Sequence, residues 1–259
     1  MMEDIQRTPA PPGRARGKAL RRLVYEALKS SDFDAALRDL LSLYPGRRLV
    51  RPLLSFINRD DEIRWRAVRA LGILVAGLAC NDLESARVVV RQLIWNMTEE
   101  SGNIPWGAAE VLGEILTRHE GLADEFVDML ISYTREDGNF LEHPPLQQGV
   151  LWGLGRLAQV RPGLLKTHGA TEYLAQYFRS EDAAVRGLAA RLAGQLRATR
   201  FRPDLNRLLD DGTEVRVHIN GKTDVQKVSD LAGQAIRSLD PESSQDMKGP
   251  ECSNRSRKS

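Results

Sequence analysis

One glycine returns four times in the same surroundings along this 259-residue chain, and that recurrence fixes most of what it can fold into. The segments are RWRAVRALGIL around Gly72, PWGAAEVLGEIL around Gly113, QGVLWGLGRLA around Gly155 and RGLAARLAGQL around Gly194, spaced 41, 42 and 39 residues apart. Counted from the glycine, positions −5, −4, −1 and +2 are Ala67, Val68, Leu71 and Leu74 in the first copy, and Ala108, Ala109, Leu112 and Ile115 in the second. The third and fourth copies supply Val150, Leu151, Leu154, Leu157 and Ala189, Ala190, Ala193, Leu196. All sixteen are apolar and fall at helical spacing, so each segment reads as a helix with one buried stripe.

A second signature precedes each glycine helix: Leu53-Leu-Ser-Phe56, Leu93-Ile-Trp-Asn96, Leu130-Ile-Ser-Tyr133 and Leu174-Ala-Gln-Tyr177. The distance from quartet to glycine is 19, 20, 25 and 20 residues. The unit is therefore helix A, turn, helix B, with about five extra residues in the third turn. Two helices per repeat of this length are the arithmetic of an α-solenoid, in which a pair buries its apolar face only by stacking on the next. Two of the A-to-B turns share a T-x-E-x-G-N pattern, at residues 98–103 and 134–139. Gly102 and Gly138 suit left-handed backbone there, and Asn103 and Asn139 suit bonding to nearby main chain. Turn chemistry is the plain account of this recurrence. The functional one is an enlarged edge carrying Glu100, Asn103, Asp137 and Asn139.

Asp60-Asp-Glu-Ile63-Arg64-x-x-Ala67-x-x-Ala70-Leu71-Gly72 and Asp182-Ala-Ala-Val185-Arg186-x-x-Ala189 resemble the D-x-x-V-R-x-x-A-x-x-x-L-G signature of HEAT-like repeats. The two central copies lack the Val-Arg pair, and the third places Pro144-Pro145 at its helix start, where proline loses little. The resemblance covers residues 47–198 and implies an all-α solenoid of about four helix pairs. WNMTEESGNIPWGAAEVLGEIL together with LEHPPLQQGVLWGLGRLAQVRP is also similar to an uncharacterised bacterial HEAT-repeat family, which brings no known activity.

Around this array, residues 1–16 read as a loose Pro/Arg/Gly-rich start and 17–46 as a capping helix pair. Residues 199–240 read as a C-terminal cap: Glu214–Ile219 alternates, Asn220-Gly221 is a two-residue hairpin turn, residues 223–228 return, and Ser229-Asp230 caps a last helix. Residues 241–259 read as a polar, disordered tail.

In HEAT-like stacking helix B lines the concave surface, so the B positions opposite the buried stripe are the ones that meet a partner. They include Trp65 and Arg69, then Trp106, Glu110 and Glu114, then Gln148, Trp152 and Arg156, then Arg191. Three of the four tryptophans fall on this face, and Trp and Arg are enriched at interface hot spots. Inward packing of the indoles is the structural alternative. Glu110 and Glu114 lie one turn apart, and with Arg69, Arg156 and Arg191 they suggest inter-repeat ion pairs, or else an aromatic-walled groove with an acidic centre for a basic segment.

Between Asp82 and Glu142 thirteen acids face four arginines, a net of −9, while the rest of the chain carries +11. Such a middle repels a phosphate backbone. The four histidines are scattered, without zinc spacing, and only Glu142-His143 near Glu136 and Asp137 gathers cation-type ligands. No phosphate-cradling glycine loop is present, and no cofactor is expected. Cys80, at a helix end, reads as buried, and with only Cys252 besides it a reducing cytoplasm fits. No apolar run reaches membrane length, and the first residues do not read as a secretory signal.

The resulting expectation is a non-enzymatic module that grips a protein or peptide on its helix-B face. A second reading is a DNA-binding or base-excision enzyme, as in one HEAT-like family, with Trp106, Glu110 and Trp152 at its centre. A third is a helper or lyase-like protein for a cofactor-bearing partner.

Overall fold

The computed structural model describes residues 15–59, 62–98 and 106–240. Within them the chain forms twelve α-helices and a two-stranded antiparallel hairpin. The expected leading pair is α1 (Gly17–Lys29) and α2 (Phe33–Leu43), and Asp32 caps α2 by accepting from the Ala35 amide at 3.0 Å. The A helices are α3 (Gly46–Leu54), α5 (Leu83–Thr98), α7 (Glu120–Ser132) and the short α9 (Pro162–Thr167). Between and after them come the B helices α4 (Glu62–Asn81), α6 (Ala108–Arg118), α8 (Pro144–Ala158) and α10 (Ala183–Gln195).

All sixteen stripe residues are buried, none more than 4% exposed. Burying a leucine such as Leu71, Leu112 or Leu154 contributes about 2 kcal/mol, so the stripe is a main source of stability. The anchoring glycines do two different things. A Cβ at Gly113 would stand 2.3 Å from the Gly153 Cα and one at Gly194 2.6 Å from the Ala235 Cα, so these two let helix backbones touch. At Gly72 and Gly155 the missing Cβ makes room for a side chain of the next helix, Glu114 and Arg191 respectively.

The fourth A segment departs from its expected single helix. α9 stops at Thr167, the Gly169 amide bonds back to the Lys166 carbonyl and Ala170 to Leu165, and Gly169 sits at φ +70°. This closing motif ends the helix, and Ala175–Arg179 continues only as a 3-10 turn.

Beyond the fourth repeat the structure adds a fifth. α11 (Arg202–Leu208) leads to strands β1 (Glu214–Ile219) and β2 (Lys222–Lys227), then to α12 (Val228–Leu239). α12 packs on α10 as each B helix packs on the one before it. Leu192-Ala-Gly-Gln195 returns 39 residues on as Leu231-Ala-Gly-Gln234, the repeat period once more. The hairpin thus occupies the A-to-B turn of this last unit. Asn220 and Gly221 turn it at φ 52° and 79°, as their pairing predicts, with Ile219 opposite Lys222. Ser229 and Asp230 do not cap α12, which already begins at Val228; the Ser229 amide instead reaches the Asp211 carbonyl at 2.9 Å.

Candidate functional site

Helix axes two places apart in a flat row stand about 16–20 Å from each other, beyond reach of a side-chain contact. Yet Trp65 of α4 and Trp152 of α8 meet with ring centroids 5.0 Å apart, across the face of α6. The B row is therefore concave on the side that carries these residues. His218 of β1 completes the cluster by stacking on Trp65 at 4.2 Å and 8°, while the Trp152 indole N–H donates to the His218 carbonyl at 2.5 Å. The hairpin does not lie over the end of the array; it crosses the hollow from the fifth repeat to the first. Burial, and secondarily the Arg64 charge, lower the His218 pKa to about 4, so its ring is neutral at pH 7.

This aromatic wall borders two cavities. The larger, about 660 Å³, is lined by Trp65, Arg69, Glu114, Trp152, Arg156 and Arg191 among the expected residues. The smaller, about 220 Å³, includes Glu110 and Gln148. Eight of the nine expected partner-facing residues thus border one hollow or the other. Trp106 borders neither. It precedes Gly107, whose φ of 99° delays the start of α6 to Ala108, so Trp106 is an exposed turn residue and not part of the α6 face.

The acidic centre expected from Glu110 and Glu114 is not what the hollow presents. Both glutamates are buried at 3% exposure and neutralised. Arg64 pairs with Glu110, whose carboxylate packs against Gly149 of α8. Arg118 and Arg156 share Glu114 at 2.5 and 2.7 Å. The larger cavity is lined by five arginines, Arg66, Arg69, Arg118, Arg156 and Arg191, against Glu62 and Glu114. Of the anticipated inter-repeat pairs Arg156–Glu114 forms, whereas exposed Arg69 turns to Asp34 at 2.7 Å. Gln148 ties its repeat to the next by donating to both Asp182 carboxylate oxygens at 3.1 Å.

Sequence reasoning missed the hairpin tip, His218 to Gly221, which lines the larger cavity; nothing local marks where a hairpin docks. Arg118 was findable, one turn beyond Glu114 on the same face. The first edge turn, with Glu100 and Asn103, lies outside the described residues. In the second, Asp137 pairs with Arg135, and Asn139 bonds through its side chain to the Ser132 hydroxyl at 2.9 Å. Gly138 is not left-handed there; a Cβ would strike the Ser132 carbonyl at 2.9 Å, which is why glycine fits. Cys80 is exposed, not buried, because it points outward from α4 while its neighbour Ala79 faces the core. Among the described residues no three His, Cys, Asp or Glu side chains converge as metal ligands would, those of the 136–143 turn included.

No family model matches the chain. An uncharacterized protein of Archaeoglobus fulgidus is 28% identical over 113 residues, 42% of this chain; the match spans about half of that relative, 53% of its length. Among solved structures, an engineered protein from the Northeast Structural Genomics Consortium superposes with a TM-score of 0.55 at 16% identity, covering 86% of this chain and 89% of that one. A second engineered protein from the same consortium gives 0.51 at 17% identity, covering 86% and 90%. Computationally designed armadillo repeat proteins for modular peptide recognition follow at 0.49 and 15% identity, covering 86% and 92%, a likeness too slight to bear on function. The first two share the overall fold described above.

Proposed function

We propose that the chain is a HEAT-like repeat protein, akin to uncharacterised bacterial ones, that binds an acidic protein or peptide segment in the hollow of its B-helix row. The observation that carries this reading is the larger cavity, where five arginines and the Trp65–Trp152 wall stand against two glutamates. Arginine pairs with carboxylates through a planar fork, and an indole beside it supplies apolar contact. The partner's charge is thus opposite to the one the linear sequence suggested.

The role is binding without chemistry. Two neighbouring carboxylates could act as acid and base, but Glu114 gives both its oxygens to Arg118 and Arg156, and Glu110 gives Oε1 to Arg64. A base-excision centre built from Trp106, Glu110 and Trp152 is disfavoured on the same geometry: Trp106 stands apart, and the Trp152 N–H is already given to His218. Nothing in the hollow speaks for a cofactor-bearing partner. Among the described residues no helix is long and apolar enough to cross a membrane. The scarcity of cysteine favours a reducing cytoplasm.

Fluorescence anisotropy with labelled peptides tests the reading. A glutamate-rich nonapeptide should bind, and Arg69→Gln should weaken it several-fold, since a rim charge acts chiefly on encounter. Arg87→Gln, on α5 outside the hollow, should leave it unchanged. Tighter binding of a lysine-rich peptide, or of a single-stranded DNA of equal charge, would contradict the assignment.

A further inference from the structure

Every arginine on the larger cavity but one is bonded to protein. Arg66 donates to the Leu28 and Ser30 carbonyls and to Glu62, Arg69 pairs with Asp34, and Arg118 and Arg156 hold Glu114. Arg191, half-buried on α10, bonds to no group among the described residues, and the charge beside it is that of Arg156. Burial first, and then Arg156, pull its pKa down to about 10, so it stays charged at neutral pH at a cost to the fold.

A second polar group nearby is equally unanswered. The Gln195 side-chain oxygen is buried without a hydrogen-bond partner, one turn along α10 from Arg191. Both side chains converge over Gly155, each 3.1 Å from the point where a Cβ would stand. The two ends of an amide are interchangeable by rotation, so Gln195 can present its NH₂ to the same space. A leucine or methionine would fill this position with less penalty, because an uncompensated buried charge disfavours folding. Arg191, kept in such a condition on the cavity wall, is suited to a ligand that supplies the missing charge.

We propose that Arg191, seated beside Gln195 over Gly155, is a subsite on the wall of the larger cavity that receives one oxyanion group of the ligand, with Arg156 at its flank. The oxyanion is a carboxylate or a phosphate; the guanidinium fork accepts either in two parallel hydrogen bonds. The subsite rests on the reading of the larger cavity as a binding site, and it places the ligand's deepest charge at α10, away from the Arg69 rim.

The experiment is thermal melting and peptide titration of the full chain, comparing wild type, Arg191→Gln and Arg191→Lys. Without anions Arg191→Gln melts higher than wild type, by ~2 °C or more, because an unpaired charge is removed. Sodium acetate and inorganic phosphate at matched ionic strength raise the wild-type midpoint and leave that of Arg191→Gln unmoved; the larger shift identifies the preferred oxyanion. Arg191→Lys keeps the charge but not the fork and retains part of the shift. The glutamate-rich peptide loses about ten-fold or more in affinity for Arg191→Gln. Equal peptide affinity of wild type and Arg191→Gln overturns the subsite and leaves the cavity reading standing. A lower midpoint for Arg191→Gln overturns it too, by making Arg191 a structural residue. No binding of peptide or anion by the wild type removes both readings together.

Discussion

His218 holds the hairpin over the hollow through an aromatic stack and its main-chain carbonyl, and the buried ring of the stack is held neutral beside Arg64. Its pKa is about 4 in the folded chain, against about 6.5 for a free histidine. The undocked form therefore takes up protons first. The contribution of His218 to docking is complete above about pH 6.5, is lost as pH falls from there towards 4, and changes no further below. Amide protection factors across Glu214–Lys227, taken relative to intrinsic exchange at each pH, should fall over that interval, and His218→Phe, which keeps a ring on Trp65, should flatten the response. The same fall in both proteins would show that other groups control the hairpin. At this scale the sequence was legible only in part. Periodicity places Trp65, Trp152 and the glutamates on one helix face, but it does not tell an exposed carboxylate from one buried under arginines. That distinction arises across repeats, where Arg64 reaches Glu110 and Arg156 reaches Glu114. Trp106 was misplaced because a single left-handed glycine shifted the helix start by two residues.

The helices themselves were readable because glycine and the apolar stripe recur together, and the structure gives the reason. Gly113 lets α6 touch α8 at Gly153, so Gly113→Ala must either part the helices or strain them. It should cost about 1–3 kcal/mol in chemical denaturation, as overpacking in cores does. Gly77→Ala, on the same kind of helix but with nothing within 4 Å of its Cβ, should be neutral or gain up to about 1 kcal/mol from helix propensity. Equal effects of the two would mean that close approach of the backbones is not what the repeated glycine serves. The fifth repeat is marked in the sequence by LAGQ, but its turn is a hairpin, whose strand alternation masks the helical period. The fourth A helix was overread for the opposite reason: its apolar spacing is helical, and only Gly169 betrays the break.

At the scale of the whole molecule, the outer helix α7 and the inner B helices differ in charge. α7 exposes Glu120, Asp124, Glu125 and Asp128 and carries no base, whereas α4, α8 and α10 turn arginines inward. The net of −9 over the middle of the sequence averages these two layers, so it does not report the charge that lines the hollow. A tally along the chain cannot separate them, since consecutive helices face opposite ways. Hydrogen–deuterium exchange with and without a saturating glutamate-rich peptide tests the central claim, that the hollow beneath the hairpin is where an acidic ligand sits. Protection should appear in α8, α10 and the strand Glu214–Ile219, and α7 should exchange as before. Protection confined to the A helices, or an unchanged pattern at saturation, would contradict it.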